Sequence, residues 1–292
     1  MKNDLRSILD KYNINPSIFT IRGNTKILNN QIVIKPRVNN DILKTYDYLK
    51  SRAFDYFPYP IDIIDNYEVY PFIDNFDEPI EQKAQDMMYL ISLLHSKTTF
   101  YKEIDIDKIK EIYENMMEET NYLEGYYNEM IDNIEREIYM SPSSYLIARN
   151  INIIFGSINY VKENIEKWYK IVENNKNMRN VFTHGNINLD HYRKSDKPYL
   201  ISFNKSRIDS PIYDLLSFYK NHYMNIDFND LFKFYESKYP LKEEERLLLF
   251  TYMAIPPVIE NSDNEYNMCI KINKIIDYLY KTSNLIMNYQ KG

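Results

Sequence analysis

The stretch THGNINLDHY at residues 183–192 decides how this chain folds. It is followed by PYLISFN at residues 198–204 and by PIYDL at residues 211–215. Asp214, in the third stretch, stands at the start of a predicted helix, where free backbone amides and the helix dipole stabilise a carboxylate. The order and spacing of these three stretches carry most of the information about the fold.

In order and spacing, the three stretches resemble the catalytic region of the aminoglycoside phosphotransferase and choline kinase-like superfamily. There, a His-Gly-Asp-x-x-x-x-Asn loop leads through a short hairpin to Ile-Asp-Phe and then to a helix that begins with Tyr-Asp-Leu. The resemblance implies an α+β protein with a two-lobed protein kinase-like fold. It predicts a small β-rich N-terminal lobe over residues 1–75, and a large, mostly helical C-terminal lobe over residues 76–292 that carries the catalytic loop.

The residues that would carry the chemistry differ from the pattern of the superfamily. Asn186 stands where the resemblance expects the catalytic aspartate, His191 replaces the metal-binding asparagine, and Ser202 replaces the metal-binding aspartate. His184 and Asp214 match residues that, in the superfamily, brace the catalytic loop without reacting. The resemblance therefore predicts a kinase-like frame with a degenerate active site.

The replacements differ in chemistry from the residues expected at these positions. An amide such as Asn186 has no useful basicity near neutral pH, so it cannot accept the proton of a hydroxyl nucleophile. Mg²⁺ prefers carboxylate or carbonyl oxygens in an octahedral arrangement, whereas His191 offers a nitrogen and Ser202 a neutral hydroxyl. The sequence therefore predicts that no metal ion binds at these positions.

Two alternatives would restore a metal site. The carboxylates of Asp190 and Asp209 lie close in sequence to the lost ligands and could replace them. Alternatively, His184 and His191 could form a transition-metal pair, since imidazoles suit zinc, although no cysteine lies near them.

The N-terminal part of the chain contains a match to the lysine that contacts the nucleotide phosphates in such kinases. Lys35 ends the run IVIK at residues 32–35 and precedes a predicted helix. The segment Glu68–Phe72, which includes Tyr70, falls where the resemblance places the interlobe hinge that binds adenine through backbone groups. The chain has only 5 glycines, which leaves little material for a loop that cradles phosphates.

Hydrophobic periodicity predicts strands before residue 75 and helices after residue 80. An Asn pair at residues 29–30 predicts a hairpin turn, and Asn39 and Asn40 are cap candidates for the first helix. The predicted strands are residues 17–22, 26–28, 31–35, 61–64 and 68–73. The predicted helices are residues 41–54, 81–97, 107–119, 122–140, 144–173 with a break at Gly156, 228–239, 242–254 and 264–289.

Composition excludes several classes of protein. A net charge of −6 argues against nonspecific binding to nucleic acid, which needs a concentrated basic surface. No apolar run approaches the length of a membrane span, and the N-terminus lacks the layout of a signal peptide. The single cysteine excludes an internal disulfide and fits a reducing compartment. We therefore expect a cytoplasmic protein that binds neither nucleic acid nor membranes.

The helical region also resembles the CotS/YutH group of spore-coat proteins, which are kinase-like proteins of low-GC spore-forming bacteria. The count of 29 tyrosines agrees with this, because coat material can be crosslinked through tyrosine, although an AT-rich genome explains part of the excess. The resemblance implies protein partners, among them other spore-coat proteins, and a location in the spore coat.

Three functional hypotheses follow from these observations. The first is a catalytically inactive kinase-like protein that acts as a scaffold or binding partner and has no cofactor. The second is a small-molecule kinase, of choline, sugar or antibiotic type, with relocated catalytic ligands. The third retains only the binding of ATP, without conventional Mg²⁺, through Lys35.

Overall fold

The first strands form where β-branched and apolar runs are separated by turn residues. The structure is a computed structural model that describes residues 8, 11–12, 19–38, 41–260, 262 and 264–290. A five-stranded antiparallel sheet has the order β1-β2-β3-β5-β4. Its strands are β1 (Phe19–Arg22), β2 (Thr25–Leu28), β3 (Ile32–Pro36), β4 (Asp62–Ile64) and β5 (Tyr67–Pro71).

The turn between β2 and β3 is the tight turn predicted for the Asn pair. Asn29 and Asn30 have φ angles of 49° and 51°, and Gln31 N donates to Leu28 O at 2.9 Å. Asparagine tolerates this left-handed conformation better than most residues, and two such residues make the turn that matches the twist of a hairpin. Residues 17 and 18 of the predicted first strand, and the cap candidates Asn39 and Asn40, lie outside the described residues.

One face of the sheet is an apolar core. Side chains alternate between the two faces of a strand, so every second residue of β2, β3 and β5 points into this core. These residues pack with Ile8 and are fully or almost fully buried: Leu28, Ile32, Ile34, Tyr67 and Val69. The opposite face of the sheet carries the polar side chains of β3 and β5.

The predicted helices after the first strands are confirmed, with small changes at their ends. Helix α1 is Ile42–Ser51, and α2 is Ile80–Thr98. The apolar stripe predicted for α2 is buried along its whole length, as expected for an amphipathic helix that packs on a core. Its members are Ala84, Met87, Met88, Ile91, Leu94 and His95.

The remaining helices follow in the order that the periodicity predicts. They are α3 (Ile106–Glu135), α4 (Pro142–Val172), α5 (Ile212–His222), α6 (Phe228–Lys238), α7 (Glu243–Ala254) and α8 (Glu265–Gln290). Helix α4 begins where Ser141 accepts a hydrogen bond from Ser144 N and Pro142 occupies the first turn, a combination that favours helix initiation. Among the described residues, no helix is long and apolar enough to span a membrane.

Two predicted helix boundaries are wrong. The helices predicted over residues 107–119 and 122–140 are the single helix α3. The two residues between them include no proline or glycine, and one of them, Thr120, is buried. The break predicted at Gly156 is absent, since α4 continues through it with Ile154 and Ile158 buried on one face. A single glycine weakens a helix by only about 1 kcal/mol, which the packing of such a face outweighs.

The helical half also contains short strands and a helix that the periodicity did not predict. Strand β6 (Phe100–Glu103) pairs antiparallel with β7 (Asn177–Thr183), with Phe100 opposite Asn180. Arg179 on β7 donates through Nε to Glu245 Oε1 at 2.8 Å, and both side chains are buried. Helix α5 is absent from the helices predicted by periodicity, but it begins at the Tyr-Asp-Leu stretch, where the resemblance predicts a helix start. The short elements around the catalytic-loop motif are two 3₁₀ turns (Leu189–His191 and Phe203–Lys205), β8 (Tyr192–Lys194), β9 (Pro198–Leu200) and β10 (Arg207–Asp209).

The described residues fall into two compact units. The first contains the residues up to Thr99 together with Phe182–Ile208, and the second contains Phe100–Val181 and the residues from Asp209 onward. These units divide the chain differently from the lobes predicted at residues 1–75 and 76–292. Within the first unit, Lys194 on β8 forms ion pairs with Asp86 on α2 and with Glu78 just before this helix, at 2.6 and 2.9 Å.

Candidate functional site

The polar face of the sheet carries the first part of the candidate site. Lys35 on β3 lies directly opposite Glu68 on β5, and Val33 lies opposite Tyr70. Successive side chains of a strand point to opposite faces of the sheet. Because these four residues are the direct neighbours of Ile34 and Val69, their side chains point away from the apolar core. The pairing of β3 with β5 therefore brings Lys35, Glu68 and Tyr70 together, and their role in nucleotide binding stays a prediction.

Lys35 is held among polar and aromatic groups. Its Nζ donates to Ser202 Oγ at 3.1 Å and lies 5.5 Å from the centroid of the Tyr70 ring. Burial lowers the pKa of Lys35, and the charge of Glu68 opposes this shift. Glu68 accepts a hydrogen bond from Tyr70 Oη at 2.8 Å, while burial raises the pKa of the Glu68 carboxyl. A lysine in these surroundings is stabilised by a further negative charge, because burial penalises its ammonium form.

The backbone assigned to adenine binding is largely part of the sheet. Glu68 pairs with Lys35 on one side and with Ile63 on the other, and Phe72 N donates to Gln31 O at 2.9 Å. Glu68 therefore contributes to the site through its side chain. Binding of adenine by this segment stays a prediction.

The glycine of the catalytic-loop motif is required by its surroundings. Gly185 has a φ angle of +73°, a conformation that glycine adopts without strain. A Cβ atom at this position would lie 2.1 Å from Lys205 O, which is far closer than any van der Waals contact. The turn after His184 therefore depends on this residue.

His184 is fully buried and both of its ring nitrogens have partners. Nδ1 accepts from Asn186 N at 3.3 Å, and Nε2 faces Ile201 O at 3.0 Å. Since Nδ1 is an acceptor, the proton lies on Nε2, which donates to the carbonyl. These are the contacts of a structural histidine, and its role as a brace of a catalytic loop stays a prediction.

His191 lies at the position of the expected metal ligand. Its Nδ1 donates to Asn186 O at 2.6 Å, and burial lowers its pKa, which favours the neutral ring. Only Nε2 of this ring remains to meet a ligand. The His184 and His191 rings are 6.2 Å apart, and both nitrogens of His184 are used. The two histidines therefore do not form the zinc pair considered as an alternative.

Ser202 has a backbone conformation that is uncommon for serine. Its φ and ψ angles of 73° and 50° lie in the left-handed region, and its hydroxyl accepts the hydrogen bond from Lys35. Within the described part of the chain, no group of three or more His, Cys, Asp or Glu side chains could hold a metal ion. The nitrogen of His191 and the neutral hydroxyl of Ser202 do not fit Mg²⁺, which prefers carboxylate or carbonyl oxygens, and the expected lack of metal binding stays a prediction.

The other carboxylates named from the sequence, Asp190, Asp209 and Asp214, do not all belong to the same unit. Asp190 lies in the 3₁₀ turn before His191, and its backbone N donates to Asn188 Oδ1 at 3.0 Å. Asp209 belongs to the second unit, where its Oδ1 accepts from Ser210 N at 2.8 Å. Asp214 is buried in the first turn of α5, also in the second unit. Its role as a brace of the catalytic loop stays a prediction.

Two cavities in the first unit share the residues of the site. The larger cavity has a volume of about 700 Å³ and the smaller one about 260 Å³. Both are lined by Lys35, Tyr70, His191 and Ser202, and Asn186 lines only the smaller one. The segment 71–75, which follows β5, also lines the larger cavity. A volume of this size suits a ligand as large as a nucleotide.

Three cationic residues of the larger cavity were missed from the sequence. Arg22 comes from β1, Lys83 from α2 and Arg193 from β8, so they are far apart along the chain. No motif links residues at these distances. The sequence contained one local signal for Arg193. It is the neighbour of Lys194 on β8, and successive side chains of a strand point to opposite faces.

Comparison with known proteins identifies the fold. No protein-family model matches the chain, and no curated protein matches it in sequence. Among solved structures, an aminoglycoside phosphotransferase from Alicyclobacillus acidocaldarius matches with a TM-score of 0.64 at 10% identity, covering 98% of this chain and 95% of that one.

Two further structures agree with this result. The AMP-bound complex of the spectinomycin phosphotransferase APH(9)-Ia has a TM-score of 0.54 at 12% identity, covering 95% of this chain and 98% of that one. A glucosamine kinase in complex with glucosamine, ADP and inorganic phosphate has a TM-score of 0.51 at 9% identity, covering 93% and 80%. At this level of identity the likeness concerns the fold, and it confirms the predicted kinase-like α+β class.

The substitution Gly185→Ala tests whether the catalytic loop depends on this glycine. We expect the free energy of unfolding to fall by at least about 2 kcal/mol, because alanine is strained at this φ angle and its Cβ meets a backbone carbonyl. Urea unfolding measures the change. The control is Gly156→Ala in α4, where a Cβ meets nothing within 4 Å. We expect this variant to gain about 0.5–1 kcal/mol. Equal stability of Gly185→Ala and the wild type would contradict the argument.

The lowered pKa of His191 predicts a pH dependence of stability. In the unfolded chain this histidine takes up a proton near pH 6.5, whereas the folded protein resists protonation until a lower pH. The unfolded state therefore binds more protons in this window, so stability falls as the pH drops below about 6.5. In His191→Asn, the loss of stability between about pH 7.5 and about pH 5.5 should be smaller than in the wild type. An unchanged loss in urea unfolding would show that His191 is not the group involved.

Proposed function

We propose that this chain, which has the fold of the aminoglycoside phosphotransferase and choline kinase-like superfamily, is a catalytically inactive protein that acts as a scaffold or binding partner. Phosphoryl transfer in such folds needs a lysine on the phosphates, metal ions, and a carboxylate that orients the hydroxyl nucleophile. Of these parts, only the lysine has a counterpart here, in Lys35.

The position of the catalytic base supports this proposal. Asn186 uses its backbone N and O in hydrogen bonds with the rings of His184 and His191, so its backbone is held in place. Its side chain lines the smaller cavity but carries an amide, which cannot accept a proton from a hydroxyl. The loop thus has an ordered shape without the group that general-base catalysis requires.

One observation carries the proposal: Lys35 Nζ donates to Ser202 Oγ at 3.1 Å. Ser202 stands where the resemblance expects the metal-binding aspartate. A cationic donor on this hydroxyl disfavours a divalent cation at the same oxygen, and no carboxylate at this position offsets the repulsion. The neutral His191 ring supplies a nitrogen in place of the second oxygen ligand. Without metal ions, the charge that develops on the transferred phosphoryl group has no counter-ion.

The second candidate is a small-molecule phosphotransferase with relocated ligands. It is favoured by Asp190, a carboxylate that lines the larger cavity with His191 and Lys35. However, burial lowers the pKa of Lys83 and of Arg193, and the charge of Asp190 opposes both shifts, so this carboxylate acts on two cations. A carboxylate that is already near two cations attracts a divalent metal less strongly. This favours the inactive protein.

A turnover assay with a repaired variant tests the proposal. We expect the wild type to transfer no phosphate from Mg·ATP to choline, sugars, aminoglycosides or water. In Asn186→Asp/His191→Asn/Ser202→Asp, Mg²⁺ should raise the melting temperature in the presence of ATP above the value with ATP and EDTA, because the carboxylates create a site for the metal. We expect no such Mg²⁺-dependent rise in the wild type.

The matched control replaces Ser202→Asp by Ser202→Asn in the same triple variant. It has the same shape without the charge, so the Mg²⁺-dependent rise should be much smaller. Phosphate transfer by the wild type at rates comparable to those of active kinases would overturn the proposal. A wild-type rise with Mg²⁺ as large as that of the repaired variant would also contradict it.

We further propose that the partners are proteins and that they include components of a spore coat. The support is the resemblance to spore-coat proteins and the exposure of several tyrosines, which crosslinking requires. Tyr139 is 91% exposed and Tyr266 is 75% exposed. Immunodetection in fractionated spores tests the location: we expect the protein in the coat fraction, and its recovery only in the soluble fraction of vegetative cells would contradict the idea.

A further inference from the structure

The larger cavity of the first unit is more positive than the rest of the protein. Four of the side chains that line it are cationic and two are acidic, whereas the whole chain has a net charge of −6. The cationic residues are Arg22, Lys35, Lys83 and Arg193, and the acidic ones are Asp74 and Asp190. This local reversal of charge is what a site for an anion requires.

These cations have few protein partners. Among the residues that the structure describes, none of the four takes part in an ion pair. Lys35 donates to the Ser202 hydroxyl, and Arg193 donates through Nη1 to Tyr192 O at 3.1 Å. The neighbouring Lys194, by contrast, contacts two carboxylates on the other face of β8. Lys194 is therefore paired, while the four cations that line the cavity form no ion pair among the described residues, although the charge of Asp190 acts on Lys83 and Arg193.

The cations also act on one another. Burial and then the charge of Arg22 lower the pKa of Arg193, and burial and then the charge of Arg193 lower the pKa of Lys83. Like charges that are close and partly buried destabilise the folded state unless an anion lies between them. Binding of an anion would therefore reduce the free energy that it costs to hold Arg22, Lys83 and Arg193 close together.

We propose that this cavity binds a polyphosphate-bearing small molecule directly, without a metal ion, through Lys35, Lys83, Arg193 and Arg22. The inference rests on the proposed function, since the side chains take over the neutralisation that Mg²⁺ would provide in an active kinase. A guanidinium such as that of Arg193 can donate two parallel hydrogen bonds to a phosphate, and lysine adds a mobile positive charge. Pro71, Phe72, Ile73, Ile27 and Val33 offer less polar walls for the remainder of the ligand.

Metal-free titration calorimetry with defined probes tests the chemistry of recognition. In EDTA, ATP and inorganic tripolyphosphate should bind and raise the melting temperature, whereas adenosine should bind much more weakly. Tighter binding of ATP than of tripolyphosphate would identify a nucleotide as the ligand, and equal binding would identify the polyphosphate chain alone. Binding of ATP that requires Mg²⁺, or adenosine binding as tight as ATP, would overturn the proposal.

Variants of single cations test the residues. Lys83→Met and Arg193→Met keep the length of the side chain and should each weaken ATP binding in EDTA by at least about tenfold. Arg193→Lys keeps the charge and should lose less. The control is Lys44→Met on α1, an 83% exposed lysine outside both cavities, which should bind as the wild type does. Equal losses in Lys44→Met and Lys83→Met would refute the assignment.

These results are distinguishable from those of the turnover assay. If the protein transfers phosphate, the proposed function fails whatever the affinity in EDTA. If it neither transfers phosphate nor binds ATP or tripolyphosphate in EDTA, only the present inference fails. Should Arg193→Met not fold, Lys83→Met at a half-buried position of α2 provides the same test, and circular dichroism of each variant identifies which of them are folded.

Discussion

The antiparallel register of β3 and β5 is the constraint on which the candidate site depends. It places Lys35 opposite Glu68 and keeps both on the polar face, while Ile34 and Val69 point into the apolar core. Because side chains alternate with a period of two, a slip of one residue would bury the lysine in that core and expose the isoleucine. The cost of burying an unpaired ammonium group excludes this alternative. The packing of the core thus positions a charged residue that takes no part in it.

The loop that contains Gly185 is held by hydrogen bonds to its backbone, and Asn186 stands where the resemblance expects a catalytic aspartate. Gly185 permits the turn, His184 contacts Ile201 O, and His191 contacts Asn186 O. These hydrogen bonds use backbone carbonyls and amides, so they do not depend on the side chain at residue 186. A protein can therefore lose the base while it keeps the loop. In an active kinase the same loop would need carboxylates, and those would change the surroundings of Lys35 most of all.

The positive charge of its lining side chains distinguishes the larger cavity from the rest of the chain. The His191 ring is neutral and Ser202 is uncharged. Neither residue therefore adds the negative charge of a metal ligand to the positive side chains around the larger cavity. Arginine and lysine can neutralise phosphate oxygens by hydrogen bonding, but they do not supply the octahedral template that Mg²⁺ gives to the reacting groups. Under the proposals made above, binding and turnover are separate properties. A protein that recognises a phosphorylated ligand through side chains alone can hold it without reacting with it.

The sequence by itself determined the features that depend on neighbouring residues. The turn at Asn29 and Asn30, the buried stripe of α2, the kinase-like fold and the altered residues Asn186, His191 and Ser202 were all legible from local pattern and spacing. The continuity of α3 and α4 and the β6–β7 pair were not. Only the tertiary structure brought Arg22, Lys83 and Arg193 to one cavity and set Lys35 on Ser202. Such assemblies join residues far apart along the chain, and strand pairing and core packing, which leave no periodic signal, decide which of them meet.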